Sequence, residues 1–181
     1  MTEGTALHLD RWTVTSGSNS QSRGAVVLAA GERHWRASAH GNGPIDALYA
    51  AVDKALVSVL GGHPRLLAYD IHALGEGPDA VGAVTVRIAP PVGEGDRGTG
   101  EYRGEARSTN IIAASIEAYI GALDAMLGEA HWSGAAADAA TKASAAPVRA
   151  AAPVSAGVAR ERRADLDEDE GEHDTTAWFE R

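Results

Sequence analysis

The chain of 181 residues contains no cysteine. Disulfide bonds, thiolate metal sites and cysteine nucleophiles are therefore excluded. Aromatic residues make up only 5% of the chain, so we expect a core of modest size. No apolar run approaches the roughly 20 residues that span a membrane, and the N-terminus lacks the pattern of a signal peptide. We expect a soluble, cytoplasmic protein that does not associate with membranes.

Basic residues are too few to balance the acidic ones, and the formal net charge is -9. Residues 161–181 hold nine acidic and three basic residues, a net charge of -6, which leaves -3 for the remainder. A nucleic-acid binder needs a broad basic surface to neutralise phosphates. This distribution of charge implies no such surface and argues against a nucleic-acid partner.

The seven histidines include no His-x-His pair. His40 and His72 lie on predicted strands or at their ends, and neither has a second histidine at the spacing of metal ligands. Asp70 lies two residues from His72, but residues two apart on a strand share a face for geometric reasons alone. Because no set of nucleophile, base and orienting group emerges, we predict no catalytic residues, no metal and no cofactor.

The composition changes near Gly128. Before this residue, apolar patterns of recognisable period run almost continuously, and we assign residues 1–128 to one domain. Residues 129–181 are rich first in Ala, Pro, Ser and Gly and then in acidic residues. Such a segment buries too little apolar surface to offset chain entropy. We expect it to be mostly disordered, with the Ala-rich residues 134–146 helical at times.

The ordered part contains an internal repeat. The segment HWRASAHGNGPIDALYAAVDKAL (34–56) matches EYRGEARSTNIIAASIEAYIGAL (101–123) at an offset of 67 residues. Each copy begins with the alternation of a half-buried strand, passes a polar or Gly-rich turn, and enters a pattern of helical period. Two further strands are predicted before each copy, at 7–17 and 24–31 in the first half and at 65–74 and 80–90 in the second.

These patterns predict an α+β fold made of two βββα units, at about 7–60 and 65–127. Each unit is an antiparallel three-stranded sheet covered by one helix. The first helix opens at Gly43-Pro44 and stops at Gly61-Gly62, and the second opens after residues 108–110 and closes at Gly128. One helix leaves much of a sheet exposed, which the other unit or a second copy of the chain would cover.

Three segments in this order resemble a known family: GNGPIDALYAAVDKAL, IHALGEGPDAVGAVTVRI and ARSTNIIAASIEAYIGALDAML. They resemble the C-terminal regulatory domain of 2-isopropylmalate synthase and citramalate synthase, over about residues 7–127. The resemblance implies two βββα units, a homodimer, and binding of an end product, leucine or isoleucine, near the interface between units.

The sequence departs from that family in two respects. The synthases also carry a catalytic barrel with a divalent metal held by histidines and carboxylates, and no such region is recognisable here. The synthase reaction is therefore not carried over to this chain. Asn110 stands where the family usually has Asp, which keeps a helix-capping side chain but removes its charge.

The resemblance implies an amino-acid pocket lined by Gly62, Leu66, Ala80, Gly82, Ala83, Thr85 and Ile111. A branched side chain needs a small apolar pocket, and an α-carboxylate needs N–H donors such as those of a helix N-terminus. The alternative interpretation is that the small residues only let a helix pack closely on a sheet.

Polar contacts to the ligand could come from Asn42, Asp46 and Asn110. Residues 41–46 are Gly-rich and open a helix, so they could hold a carboxylate, or they could simply form a turn and cap. Asp46 could meet the ligand's ammonium group, or it could only complement the helix dipole.

Trp178 and Phe179 stand out at the end of the acidic segment. Exposed aromatic residues are good interface anchors, so this pair could dock a partner protein, or the segment could be inert. The leading hypothesis is a non-catalytic homodimer that binds leucine or another branched-chain amino acid and acts in trans on a synthase of leucine biosynthesis. The rival hypothesis is an adaptor dimer that has lost the ligand site and recruits a partner through its tail.

Overall fold

The computed structural model describes residues 6–92 and 96–145. The β-strands of this part are β1 (His8–Gly17), β2 (Ser20–Ala30), β3 (Arg33–Gly41), β4 (Arg65–Leu74), β5 (Val81–Ala89) and β6 (Tyr102–Ser108). The helices are α1 (Pro44–Leu60), α2 (Ile111–Leu127) and α3 (Ala135–Ala145), with 3-10 turns at Asp96–Gly98 and Ala130–Trp132.

The strands form two antiparallel sheets, β1-β2-β3 (sheet A) and β4-β5-β6 (sheet B). Helix α1 packs on β2 and β3, and α2 packs on β5 and β6. Each sheet is thus followed and covered by one helix, which confirms the predicted pair of βββα units.

Both helices begin and end for local reasons. Pro44 opens α1, where its missing N–H costs nothing, and Gly61 ends it with a φ of 70°, a left-handed conformation that favours glycine. The Gly61 N–H donates to the Val57 carbonyl at 2.9 Å. At the start of α2, the side chain of Asn110 accepts hydrogen bonds from the N–H groups of Ile112 and Ala113.

One core joins the two units. Alternate residues of each central strand turn toward the helices, which buries Val26 and Leu28 in sheet A and Val84, Val86 and Ile88 in sheet B. Because α1 and α2 also contact each other, these residues belong to a single hydrophobic cluster.

Strand β2 begins four residues earlier than the predicted start at Gly24. Ser20 pairs with Gly17, so β1 and β2 are joined by a tight two-residue turn. The polar residues from Ser20 to Arg23 did not suggest a strand, but their backbone pairs with β1 and β3. Backbone pairing therefore decides the boundary here, and the side-chain pattern does not.

The described fold continues past Gly128, the expected boundary, as far as Ala145. Gly128 ends α2 with a φ of -74°, a right-handed conformation from which the chain continues into the turn Ala130–Trp132 and then α3. Helix α3 packs against α1, with Trp132, Ala135 and Ala139 buried. The remainder of the expected tail, residues 146–181, lies outside the described residues.

Among the described residues, no single helix is long and apolar enough to cross a membrane. Helix α2 and the segment Ala130–Thr141 reach the length and apolar composition of a membrane span only when they are taken together, and the two are bent by 88° relative to each other.

Candidate functional site

The seven residues expected to line an amino-acid pocket lie in the second unit, with Gly62 just before it. Leu66 is on β4, Ala80 precedes β5, three residues are on β5, and Ile111 begins α2. The register of β5 with its neighbours decides which of these side chains share a face of sheet B.

Gly82 and Ile111 lie on the face of sheet B that α2 covers. A Cβ atom added at Gly82 would lie only 2.5 Å from Cδ1 of Ile111. The absence of a side chain at Gly82 therefore leaves room for the Ile111 side chain of α2 against the sheet. This contact supports the close-packing interpretation for Gly82, because Ile111 already occupies the space beside it.

Ala83 and Thr85 alternate with buried Val84 and Val86, so they lie on the opposite, outer face of sheet B. Leu66 pairs with Ile88 at the edge of the sheet and is half exposed. This pairing puts Leu66 on the helix-facing side with Gly82 and Ile111, so the expected ligand residues are divided between the two faces of sheet B. In a single chain they do not surround one cavity.

The polar residues expected near the ligand serve their own helices. The Asn42 N–H donates to Oδ2 of Asp46 at 2.8 Å, and Oδ1 of Asn110 accepts from the Ile112 N–H at 3.0 Å. Asp46 thus holds the turn before α1, and Asn110 caps α2. The amide nitrogen of Asn110 has no partner among the described residues, so this group remains free to donate.

The edge strand β4 carries four apolar side chains on its two faces, which we call the apolar stripe: Leu66, Leu67, Ile71 and Leu74. Leu66 and Ile71 pair with helix-facing residues of β5, whereas Leu74 pairs with Val81 of the outer face. Each of these side chains is between 45% and 50% exposed. Helix α2 lies mainly over β5 and β6, and it reaches β4 at Tyr69, whose hydroxyl bonds Ser115. An edge strand also presents unpaired backbone groups, so an apolar edge of this kind is suited to contact with another chain.

A polar network that sequence reasoning missed joins the two units, through two pairs of residues four apart on α1 and α2. The hydroxyl of Tyr119 donates to Oδ1 of Asp53 at 2.5 Å, and the hydroxyl of Tyr49 donates to the Ser115 carbonyl at 3.0 Å. The Tyr49 and Tyr119 rings stack with centroids 4.2 Å apart. The spacing of four, which places each pair on one helix face, was the available signal.

Burial shapes the electrostatics of this network. It raises the pKa of the Asp53 carboxyl, an effect that the hydrogen bond from Tyr119 and the nearby His63 partly oppose. Burial also raises the pKa of Tyr119, and the charge of Asp53 raises it further. The Nδ1 atom of His63 lies 3.6 Å from Oδ2 of Asp53, so the network reaches solvent at this exposed histidine.

The family model of the LeuA allosteric (dimerisation) domain matches residues 2–127. The chain belongs to this family.

Curated relatives agree with this assignment. The chain is 33% identical over 118 residues to proteins named 2-isopropylmalate synthase from Salmonella arizonae and Salmonella newport. The match covers 65% of this chain and 20% of each relative. The chain therefore aligns with about a fifth of the length of these enzymes, and it is related to a regulatory and dimerisation module.

Beyond residue 127, where the family match ends, lies what we call the C-terminal extension, residues 130–145. Arg97 holds it to the LeuA-type domain: Nε donates to the His131 carbonyl at 2.8 Å, and the guanidinium lies 5.5 Å from the centroid of the Trp132 ring. An NH group of Arg97 also lies 3.6 Å from Oδ2 of Asp138. A residue between β5 and β6 therefore fixes a segment that follows α2.

The remaining expectations concern metals and the tail. Within residues 6–92 and 97–141, no three His, Asp or Glu side chains are grouped so that they could hold a metal ion. His40 and His72 lie on β3 and β4, on separate sheets. Trp178 and Phe179, the expected docking pair, lie outside the described residues.

Proposed function

We propose that this chain is a non-catalytic sensor that binds leucine or a related branched-chain amino acid as a homodimer and regulates a 2-isopropylmalate synthase in trans. Membership of the LeuA allosteric (dimerisation) family supports the regulatory and dimeric parts of this proposal. The names of the relatives support the choice of enzyme and pathway.

The apolar stripe on β4 carries the proposal of a dimer surface. Its four side chains are half exposed on an edge strand. Burying the exposed half of each would contribute roughly 1 kcal/mol before the cost of association. A second copy packed on β4 would cover this stripe, and a two-fold arrangement would bury the same residues of both chains.

The same surface explains how divided ligand residues could form one pocket. Leu66 belongs to the stripe, and Ala83 and Thr85 lie on the open outer face of sheet B. A second copy at this edge would cover these residues and contribute the remaining side of the pocket. The free amide of Asn110 could then donate to a ligand carboxylate. Ligand binding would favour one arrangement of the two chains, and this coupling would be the regulatory signal.

The variant Ile71→Asp tests the dimer surface, and Val57→Asp is its control. The two positions are matched in exposure, because Ile71 is 46% exposed on β4 and Val57 is 45% exposed on α1. Light scattering after size exclusion should give a dimer for the parent chain and Val57→Asp, and a monomer for Ile71→Asp. Equal masses for the two variants would remove β4 from the interface.

Calorimetry with leucine, isoleucine and valine tests the ligand. We expect a saturable heat with at least one of them, and its loss in the monomeric Ile71→Asp protein, since the pocket needs both copies. No heat and no thermal shift with any of the three would refute the sensor function. An intact dimer with that result would favour the adaptor hypothesis.

Regulation in trans requires its own measurement. Adding the chain to a 2-isopropylmalate synthase from which the allosteric domain has been removed should restore inhibition by the amino acid. Activity that is unchanged at saturating chain and ligand would refute action in trans.

A further inference from the structure

The outer face of sheet A, turned away from α1, carries three arginines around an apolar centre. The strand register places Arg11, Val27 and Arg36 side by side across the three strands. Arg23 lies four residues before Val27 on β2, on the same face of the sheet. Val27 is half-buried and the arginines are exposed, so the guanidinium groups surround a small apolar surface at Val27.

This face holds a shallow cavity of about 410 Å³ that is open to solvent across the sheet. Its lining includes Arg11, Thr13, Arg23, Ala25, Val27 and Arg36, which come from all three strands. A volume of this size is typical of small-molecule sites, which combine apolar contacts with a few polar groups. The site lies on a rigid sheet, and none of the residues expected to bind the amino acid lines it.

The described residues provide no anionic partner for the three arginines. Within residues 6–92 and 97–141, no carboxylate lies within 4.0 Å of their guanidinium groups. On sheet B, Arg87 pairs with Glu101 and Arg103 pairs with Glu105, whereas Arg65 and Arg107 have no such partner among the described residues. Within the described part of the chain, the charges of Arg11, Arg23 and Arg36 are therefore uncompensated, although the formal net charge of the protein is -9.

We propose that this cavity binds a small organic anion with at least two carboxylates and a short apolar body. Arg11 and Arg36 lie two strand spacings apart, which separates their Cα atoms by about 9.5 Å. Their flexible side chains can therefore each bind one carboxylate. A guanidinium binds a carboxylate through two parallel hydrogen bonds. Val27 and Ala25 provide the apolar contact between these two ion pairs.

The geometry disfavours larger anions. The face of a sheet offers no free backbone N–H or C=O groups, so an extended acidic peptide could bind only through its side chains. A nucleic acid would meet three cations here and repulsion from the acidic remainder of the chain. A compact polycarboxylate satisfies the three arginines without these penalties.

Titration of the full chain with tricarballylate at low ionic strength tests the proposal, with acetate and inorganic phosphate as comparison anions. Arg36→Gln and Arg11→Gln should each weaken tricarballylate binding roughly 10- to 100-fold, as expected for the loss of a charged hydrogen-bonding pair. Arg107→Gln is the matched control. Arg107 is exposed on β6 in the other sheet, and its replacement changes the net charge equally.

Saturable binding of tricarballylate that survives in Arg107→Gln and is lost in the sheet A variants would support the site. An equal loss in all three variants would show a general charge effect and overturn the proposal. Binding of phosphate as tight as that of tricarballylate would overturn the requirement for two carboxylates, and no binding of any anion would overturn the site. Circular dichroism and retained leucine titration would show that the variants fold and that the two sites are independent.

Discussion

Gly104 on β6 lies beneath α2, where strand and helix backbones meet. A Cβ atom at this position would overlap the Ala118 carbonyl oxygen and the Ala122 backbone nitrogen, and would lie 3.0 Å from the Ala118 carbonyl carbon. Both residues are in the middle of α2, so the clash involves a rigid helix and no flexible side chain. Gly104→Ala should therefore push α2 away from sheet B.

The expected cost follows from this contact. Overpacking a core costs about 1–3 kcal/mol, and a clash with helix backbone belongs at the upper end. Replacing glycine also restricts the unfolded chain, which returns about 0.4–1 kcal/mol. The net loss in the free energy of unfolding should be about 2–3 kcal/mol, which lowers Tm by roughly 10 °C in a domain of this size.

Urea unfolding followed by circular dichroism measures this change, and Gly121→Ala is the control. Gly121 faces Gly104 from α2, but its Cβ atom would lie 3.6 Å from the Gly104 Cα atom, an ordinary contact. Alanine also favours the helix by about 1 kcal/mol, so Gly121→Ala should stabilise the protein. A Gly104→Ala protein within 0.5 kcal/mol of the parent would refute the close approach of α2 to β6.

Three further predictions concern the helices and the extension. Burial raises the pKa of Asp53, so its contribution to stability is present below pH 3.8 and is lost as pH rises through the folded-state pKa. Asp53→Asn should therefore gain stability relative to the parent from pH 4 to 7. Urea unfolding at several pH values measures this, and a difference that stays constant with pH would contradict it. Arg97→Ala should speed amide exchange in residues 130–141 while exchange in sheet B stays unchanged, and equal rates in that segment for Arg97→Ala and the parent would contradict its role. Asn110→Ala should cost about 1 kcal/mol in unfolding free energy through loss of the cap on α2, and a cost below 0.3 kcal/mol would show that the cap is dispensable.

The sequence predicted the fold well because its signals are local. Alternation marks the strands, a period of 3.6 marks the helices, and Pro44, Gly61 and Asn110 mark helix ends. Strand boundaries that depend on pairing were less accurate, as the start of β2 at Ser20 shows.

The site was harder to predict because it depends on register and on contacts between units. Gly82 and Ala83 are neighbours in sequence, yet they lie on opposite faces of sheet B, and only one of these faces meets α2. The link from Tyr119 to Asp53 spans 66 residues and exists only once both units are packed. Trp132 likewise gave no periodic signal, and its burial depends on α1 and Arg97.

The hydrogen bonds between α1 and α2 have a consequence for the independence of the two repeats. Asp53 of the first repeat receives its donor from the second, and Ser115 of the second repeat accepts from Tyr49 of the first and contacts the hydroxyl of Tyr69. These groups are buried because α1 packs against α2, so a single repeat would expose Asp53 and the apolar faces of the helices to water. The duplicated halves have thus become obligate partners, each completing the interior of the other.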